Sequence, residues 1–408
     1  MASLEQTFEQ ACASGEIAGA VMIASNTDGS FRFENTFGKR SVREDGDQSP
    51  LKKDGIMWIA SCTKLLGTIA ALQCVERGQL SLDAPIYDIV PEFKDQDILT
   101  GIDDNGKAVY QKGHSTPMTL RLLLTHSAGL GYDEMYPLLM AWRESRGEKV
   151  SPGGTIASRM TLPLLYDPSS MWMYGCGIDW AGKMVERVND NMPLDAYMQK
   201  HIFEPLGITD MTFDLATRPD LAARMVDMSK RDEQTGKVRY TDSRMPYNGA
   251  TEPMAGQGLF TSAPEYMKVL QSLLANDGKL LQPATVDSMF EPNLSPSAKH
   301  TLNAMLDGNP IFNNAMGGLS VGAERDWGLG GLLMMTDVPG WRSARTLTWG
   351  GLPNLTWWID RKAGLCGIFA GQLIPTGDAR VIELSRVFER DMYRRIEAEG
   401  GVAESPKL

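Results

Sequence analysis

Between Leu65 and Gly78 the chain reads LLGTIAALQCVERG, and its apolar residues do not keep to one side. Leu65, Ile69, Leu72 and Val75 mark one helical face, while Leu66, Ala70 and Ala71 fall on others. A helix with no polar face is a buried one. The rest of the chain must therefore supply packed layers around it, and Arg77-Gly78 is where it is expected to end. With 408 residues, 42% of them apolar, the chain is long enough to bury a large core and to build more than one structural region.

Both ends of the chain carry strand and helix signals. Ser3-Leu4-Glu5-Gln6 has the capping-box form, and Leu4, Phe8 and Cys12 repeat at helical spacing behind it. AGAVMIAS and FRFENTFG flank the turn-forming Asn26-Thr27-Asp28-Gly29 and read as a hairpin. Towards the C-terminus, EYMKVLQSLLANDG predicts a helix closed by Gly278. GLLMMTDV, ARTLTW, NLTWWID and GLCGIFAG then read as strands, and Val381, Leu384, Phe388 and Met392 form the apolar stripe of a final helix lying on a sheet. The middle differs, with proline and glycine breaks and helix-like runs such as TLRLLLTH and WAGKMVERV. Residues 81–254 are thus expected to be a mainly helical region inserted between 1–80 and 255–408, which form one discontinuous α/β region.

Charge and composition exclude several functions. A formal net charge of −11 with no basic run repels nucleic-acid phosphate and anionic lipid, so no nucleic acid and no membrane is expected as a partner. The N-terminus lacks a basic stretch followed by an apolar core, and no apolar run approaches the ~18 residues of a membrane span. A soluble, cytoplasmic protein is expected. The terminal Ser-Pro-Lys-Leu is one proline away from a peroxisomal Ser-Lys-Leu address and reads more simply as a polar tail. Five scattered cysteines without a CxxC pair, and four histidines without i, i+4 spacing, fit reduced packing residues and no metal.

The chemistry-bearing residues stand just before the apolar helix, in Ala60-Ser61-Cys62-Thr63-Lys64. A serine in a first helical turn faces unpaired N–H groups and the positive end of the dipole, and a lysine three residues on shares its face. Burial disfavours an ammonium, and a neutral lysine amine can accept a serine proton, which makes a nucleophile without histidine. A serine can equally be a cap and a lysine can snorkel, so the pair alone decides nothing. Tyr174, in PSSMWMYGCGIDWAGKMVE, could share that proton if Lys64 lay near its phenol, or be an ordinary half-buried aromatic. In TLTWGGLPN, Gly350 and Gly351 follow a β-type run and permit close backbone approach to a ligand, or form a bulge.

In this order, Ser61-Cys-Thr-Lys64, Tyr174-Gly-Cys-Gly-Ile-Asp179 and Trp349-Gly-Gly resemble the motifs of the serine β-lactamase and penicillin-binding-protein superfamily. RGQLSLDAPI, MTLRLLLTHSAGL, EPLGITDMTF and AGQGLFTSAPEYMKVLQSLL look like its connecting segments, so the resemblance covers nearly the whole chain. ASCTKLLGTIAALQCVERG and LTWGGLPNLTWWIDRKAGLC are most similar to fungal transesterases of the lovastatin side-chain acyltransferase type. The resemblance implies an α+β, β-lactamase/transpeptidase-like fold with an antiparallel sheet flanked by helices, a helical region, and an active site in the cleft between them. It also implies that Ser61 is the nucleophile, Lys64 its proton acceptor and Tyr174 the proton relay, with an oxyanion hole from the backbone N–H groups of Ser61 and Leu352.

Two departures narrow the substrate. The superfamily's usual Tyr-x-Asn is here Tyr174-Gly-Cys, and the Lys or His that heads the third motif is here Trp349. A large aromatic in place of a cation removes a charge-assisted bond to a carboxylate and offers apolar area instead. Trp349, Gly350, Gly351 and Trp172 are the candidate pocket residues. The function expected is acyl transfer from a thioester, carried by coenzyme A or a polyketide synthase carrier domain, to the hydroxyl of a hydrophobic alcohol, without a cofactor. Hydrolysis of hydrophobic esters by the same residues, and a catalytically silent binding protein, are the alternatives. His126 in THSAGL is expected to be a packed histidine, Asp179 a structural residue and Cys62 a packing residue.

Overall fold

The computed structural model describes residues 2–243, 249–319 and 322–398. The terminal Pro-Lys-Leu lies outside them. Seven antiparallel strands form the main sheet: β1 (Gly19–Asn26), β2 (Arg32–Gly38), β3 (Arg325–Trp327), β4 (Leu332–Met334), β5 (Leu347–Gly351), β6 (Leu355–Asp360) and β7 (Leu365–Ala370), in the order β3-β4-β5-β6-β7-β1-β2. The two ends of the chain meet inside this sheet, where β1 pairs with β7 from Val21 opposite Ala370 to Asn26 opposite Leu365. Every residue of β5, β6 and β7 is buried, which is why those segments read as unbroken apolar runs rather than alternating ones.

Helices cover both faces. Phe388, in the C-terminal helix Ala379–Ala398, packs edge-on against Trp358 at 5.5 Å between ring centroids. On the other face Gln271, in helix Ala263–Ala275, reaches the Cys366 thiol. Trp358 pairs with Gly367, the neighbour of Cys366, so these two contacts fall on opposite sides of the pleat. A side chain at Gly367 would strike the Trp358 indole, since a Cβ there would lie 2.4 Å from Cη2.

The apolar helix runs from Thr63 to Glu76 and is buried from Thr63 through Cys74. It packs on helix Gly177–Val188, with Gly67 of one and Gly182 of the other closing on the Ala255 methyl group, 2.9 and 2.6 Å from where each Cβ would stand. It has no polar face, and its buried position requires none. The N-terminal capping box, the first hairpin and the C-terminal amphipathic helix stand as the residue pattern predicts. Among the described residues no helix is long and apolar enough to cross a membrane.

The span 81–254, expected to be mainly helical, also holds the hairpin Ile98–Ile102/Ala108–Gln111 and the pair Ser229–Arg231/Val238–Tyr240, which extends to Leu373–Ile374. Helix Ala263–Ala275 ends at Asn276 in the left-handed conformation, φ 50°, two residues before Gly278, because asparagine tolerates that cap geometry. Helices Pro296–Gly308 and Pro310–Ala315, which the residue pattern did not single out, lie within the α/β region 255–408.

Candidate active site

Ser61 lies in a single 3₁₀ turn, Ala60–Cys62, that leads directly into the helix starting at Thr63. It therefore stands one turn before the α-helix proper rather than inside its first turn. Ala60, immediately before it, adopts φ +43°. A non-glycine residue in this region costs roughly 1 kcal/mol or more and persists only where its surroundings hold it. Met57 and Trp58, paired with Thr261 and Phe260, supply that hold from one side.

Lys64 is buried and its Nζ donates to three oxygens: Gly256 O at 2.7 Å, Tyr132 Oη at 3.0 Å and Ser61 Oγ at 3.4 Å. Those contacts use the three N–H directions of an ammonium. The Tyr174 hydroxyl approaches Ser61 Oγ more closely, at 2.7 Å, and the Lys64 amine sits 4.7 Å from the centre of the Tyr174 ring. Behind them Asp179, fully buried in the first turn of helix Gly177–Val188, accepts from Tyr132 Oη at 2.8 Å and from the Gly256 backbone N–H at 2.8 Å. One carboxylate thus fixes two of the three oxygens that hold Lys64. Burial raises the Asp179 carboxyl above the usual carboxylate range, and the nearby Lys64 charge works against that rise. Burial and the Asp179 charge keep the Tyr132 phenol well above its usual range, so it remains a proton donor to Asp179.

Tyr174 is set by its backbone. Gly175 N–H donates to His126 Nδ1 at 3.3 Å, Tyr136 Oη donates to Tyr174 O at 2.8 Å, and a Cβ on Gly175 would lie 2.1 Å from Leu130 O. Burial, reinforced by Lys64, holds His126 well below the usual imidazole range, which leaves Nδ1 free of a proton and able to accept. His126 is therefore packed and hydrogen-bonded, as expected. Cys62 is buried, and its thiol is pushed up by desolvation.

The third segment arrives as the end of β5. A Cβ on Gly351 would lie 2.4 Å from Ile59 O, and one on Gly350 would lie 2.5 Å from Leu355 O. Glycine at 351 is what allows the strand to press against the turn that carries Ser61. Gly350, Gly351, Leu352 and Trp349 line, with Ser61 and Tyr174, a cavity of about 290 Å³ whose remaining wall includes Met135, Ile311, Phe312 and Met316. Trp349 stands 5.2 Å from the Tyr174 ring and 4.6 Å from Trp327. Trp172 does not line the cavity. Its indole is buried behind Tyr174, against His126, Phe312 and Trp327, the last at 5.3 Å. Among the described residues no group of His, Cys, Asp and Glu could hold a metal ion.

Sequence reading missed Tyr132, the Gly256 carbonyl and the double duty of Asp179. It also missed the wall built by residues 311–316. The only local signal for Tyr132 is its place after the glycine-rich AGLG, within THSAGLGYDE.

A strained serine turn, a buried lysine, a tyrosine closing on the serine, and a glycine-edged strand alongside define a β-lactamase-type serine site. The Beta-lactamase family model matches residues 4–380, and the chain belongs to that family. It is 41% identical to monacolin J acid methylbutanoyltransferase of Aspergillus terreus, over 96% of this chain and 95% of that protein. It is 40% identical to a lovastatin esterase of Penicillium rubens, over 97% of this chain and 99% of the relative. Among solved structures it is similar to a mutant of the simvastatin synthase of Aspergillus terreus, with a TM-score of 0.89 at 41% identity, covering 97% of this chain and 95% of that one.

Proposed function

We propose that this protein is a serine acyltransferase that moves an acyl group from a thioester to the hydroxyl of a hydrophobic, natural-product-like alcohol through an acyl-Ser61 intermediate. The observation that carries this reading is the 2.7 Å contact between Tyr174 and Ser61 at the floor of a largely apolar cavity edged by Trp349. Tyr174, rather than Lys64, is the immediate base, because its oxygen is the nearer one and Lys64 is held by two other acceptors. Asp179 keeps Lys64 in position beside Tyr174 through Tyr132 and Gly256.

In the first half-reaction the Ser61 hydroxyl proton passes to the Tyr174 oxygen as Oγ bonds to the thioester carbonyl. The C–S bond then breaks and the thiolate takes that proton from Tyr174. In the second half the alcohol gives its proton to Tyr174 while attacking the acyl carbon, and the proton returns to Ser61 Oγ as the new ester leaves. The backbone N–H groups of Ser61 and Leu352, both on the cavity wall, serve as the oxyanion donors. A donor of this kind contributes about 3–4 kcal/mol.

Both a transferase and an esterase stand at about equal identity to this chain. Intact-mass measurement after mixing with acyl-pantetheine thioesters separates the two activities. The acyltransferase reading expects an adduct on Ser61 that persists in water and is discharged by a hydrophobic alcohol. An adduct lost as fast in water as in alcohol would make the protein an esterase, and the absence of any adduct would overturn both.

A further inference from the structure

We propose that Asn354 is a positioning residue for the oxyanion site: its side-chain amide grips the chain on both sides of Thr376, and together they fix the peptide that presents the Leu352 N–H to the substrate carbonyl. This rests on the acyltransferase reading above, in which Ser61 and Leu352 supply the oxyanion donors. Strands β5 and β6 are joined by Leu352-Pro353-Asn354, a three-residue loop whose flanking residues, Gly351 and Leu355, pair across the hairpin. Asn354 is left-handed, φ +62°, the conformation that the last residue of such a loop takes and that asparagine tolerates. Its backbone N–H donates to Gly351 O at 2.9 Å. That carbonyl and the Leu352 N–H belong to one planar peptide, so holding the oxygen sets the direction of the N–H.

A left-handed loop position asks only for glycine or asparagine, and the Asn354 amide does more than that. It is 2% exposed, and its two donors and two acceptor sites are all used. Nδ2 donates to Leu373 O at 2.7 Å and to Pro375 O at 2.8 Å, while Oδ1 accepts from the N–H groups of Gly377 at 2.8 Å and Asp378 at 3.3 Å. Thr376 lies between the gripped residues and on the cavity wall, and its hydroxyl donates to Leu352 O at 2.8 Å. Both peptides that meet at Leu352 are therefore anchored, one by the Asn354 backbone and the other by Thr376. With both planes fixed the Leu352 N–H cannot turn away, and a donor held in advance needs no reorganisation as charge develops on the carbonyl oxygen. Leu352 and Thr376 face the substrate, and Asn354 acts through them.

The test uses three variants of the full chain. Thr376→Val keeps the shape and loses the hydroxyl, Thr376→Ser keeps the hydroxyl, and Asn354→Gly keeps the left-handed backbone and its N–H but loses the amide. Acylation by p-nitrophenyl butyrate is followed to saturation, which gives a rate and a dissociation constant for the ester before acylation. Affinity for phenylboronic acid is the second readout, since Ser61 Oγ adds reversibly to boron and a boronate oxygen takes the place of the oxyanion. In Thr376→Val and Asn354→Gly the acylation rate and the boronic acid affinity should each fall about tenfold or more, with ester binding within about threefold, and Thr376→Ser should restore both to within about threefold. Unchanged acylation in Thr376→Val would overturn the inference, even where Asn354→Gly fails to fold. So would a loss of ester binding that matches the loss of rate, or a boronic acid affinity that neither variant alters. Neither probe is a thioester and neither requires an alcohol, so a protein that passes this test yet forms no adduct with acyl-pantetheine refutes the acyltransferase reading alone.

Discussion

The Tyr132 hydroxyl donates to Asp179 Oδ2 at 2.8 Å while accepting from Lys64 Nζ at 3.0 Å, so a carboxylate that never touches the cavity decides where the lysine charge sits. Asp179 acts through other groups and is a positioning residue. In Asp179→Asn the amide can accept one of the two hydrogen bonds, while its NH₂ meets a donor. Acylation is expected to slow by about 10- to 100-fold, with a stability loss of about 1–3 kcal/mol. The pH profile separates positioning from mere stability. Burial places Asp179 above the ordinary carboxylate range, so acylation should fall as pH drops through that raised value. That acid limb should be missing in Asp179→Asn when single-turnover acylation is followed against pH.

Ser61→Ala should form no acyl adduct with any thioester. Tyr174→Phe removes the oxygen closest to Ser61 Oγ but keeps the ring packed on Trp349. Its acylation rate is expected to fall about 10²- to 10⁴-fold, the range of a general base, with a melting temperature near that of the unmodified protein. Stopped-flow acylation together with thermal unfolding checks both. A Tyr174→Phe variant that acylates at the original rate would move the base to Lys64.

Gly351→Ala tests the contact between the strand and the serine turn. The added methyl group would stand 2.4 Å from Ile59 O, and backbone on both sides leaves no flexible side chain to give way. Strand and turn must separate, which shifts Leu352 relative to Ser61. Acylation is expected to drop by at least 10²-fold, because a displacement near 1 Å is enough for that, with about 1–3 kcal/mol lost from overpacking. Gly101→Ala, in the hairpin Ile98–Ile102/Ala108–Gln111, where an added Cβ meets nothing within 4 Å, is the control for a glycine whose replacement leaves the site untouched.

The site was legible in the sequence to the extent that it is local. Ser61 and Lys64 are three residues apart, and helical geometry alone puts them together. The glycines at 350 and 351 declare a close approach, though not which backbone approaches. The support behind Lys64 is different in kind: Tyr132 is 68 residues from it and Gly256 is 192, and no periodicity relates positions so far apart. Trp172 misled for a physical reason. Put forward as a pocket residue, it stacks behind the Tyr174 ring at 6.4 Å and packs on Trp327 and His126, so Tyr174 stands between its indole and the cavity. The helices at 296–315 were missed because prolines, asparagines and a sparse apolar stripe of Ala298, Leu302 and Leu306 give a weak helical pattern.

His126 gives a prediction about acid stability. Burial and Lys64 depress its folded-state value well below the ordinary imidazole value of about 6.5, so between the two the unfolded chain binds a proton that the folded chain does not. Stability then rises with pH across that window, and it is lost as pH falls below about 6.5, at up to about 1.4 kcal/mol per pH unit for this one group. His126→Asn is the appropriate neutral replacement. Asparagine tolerates the φ of +56° at this position, and its amide oxygen can accept from the Gly175 N–H that now bonds to Nδ1. The variant should be less stable at pH 7.5, since an imidazole packed among Trp172, Tyr174 and Trp327 is lost. Its unfolding free energy, measured in urea from pH 7.5 to 5, should nonetheless decline less steeply than that of the unmodified protein. Parallel declines would mean that His126 is protonated in the fold, and the Gly175 N–H would then have no acceptor on that ring.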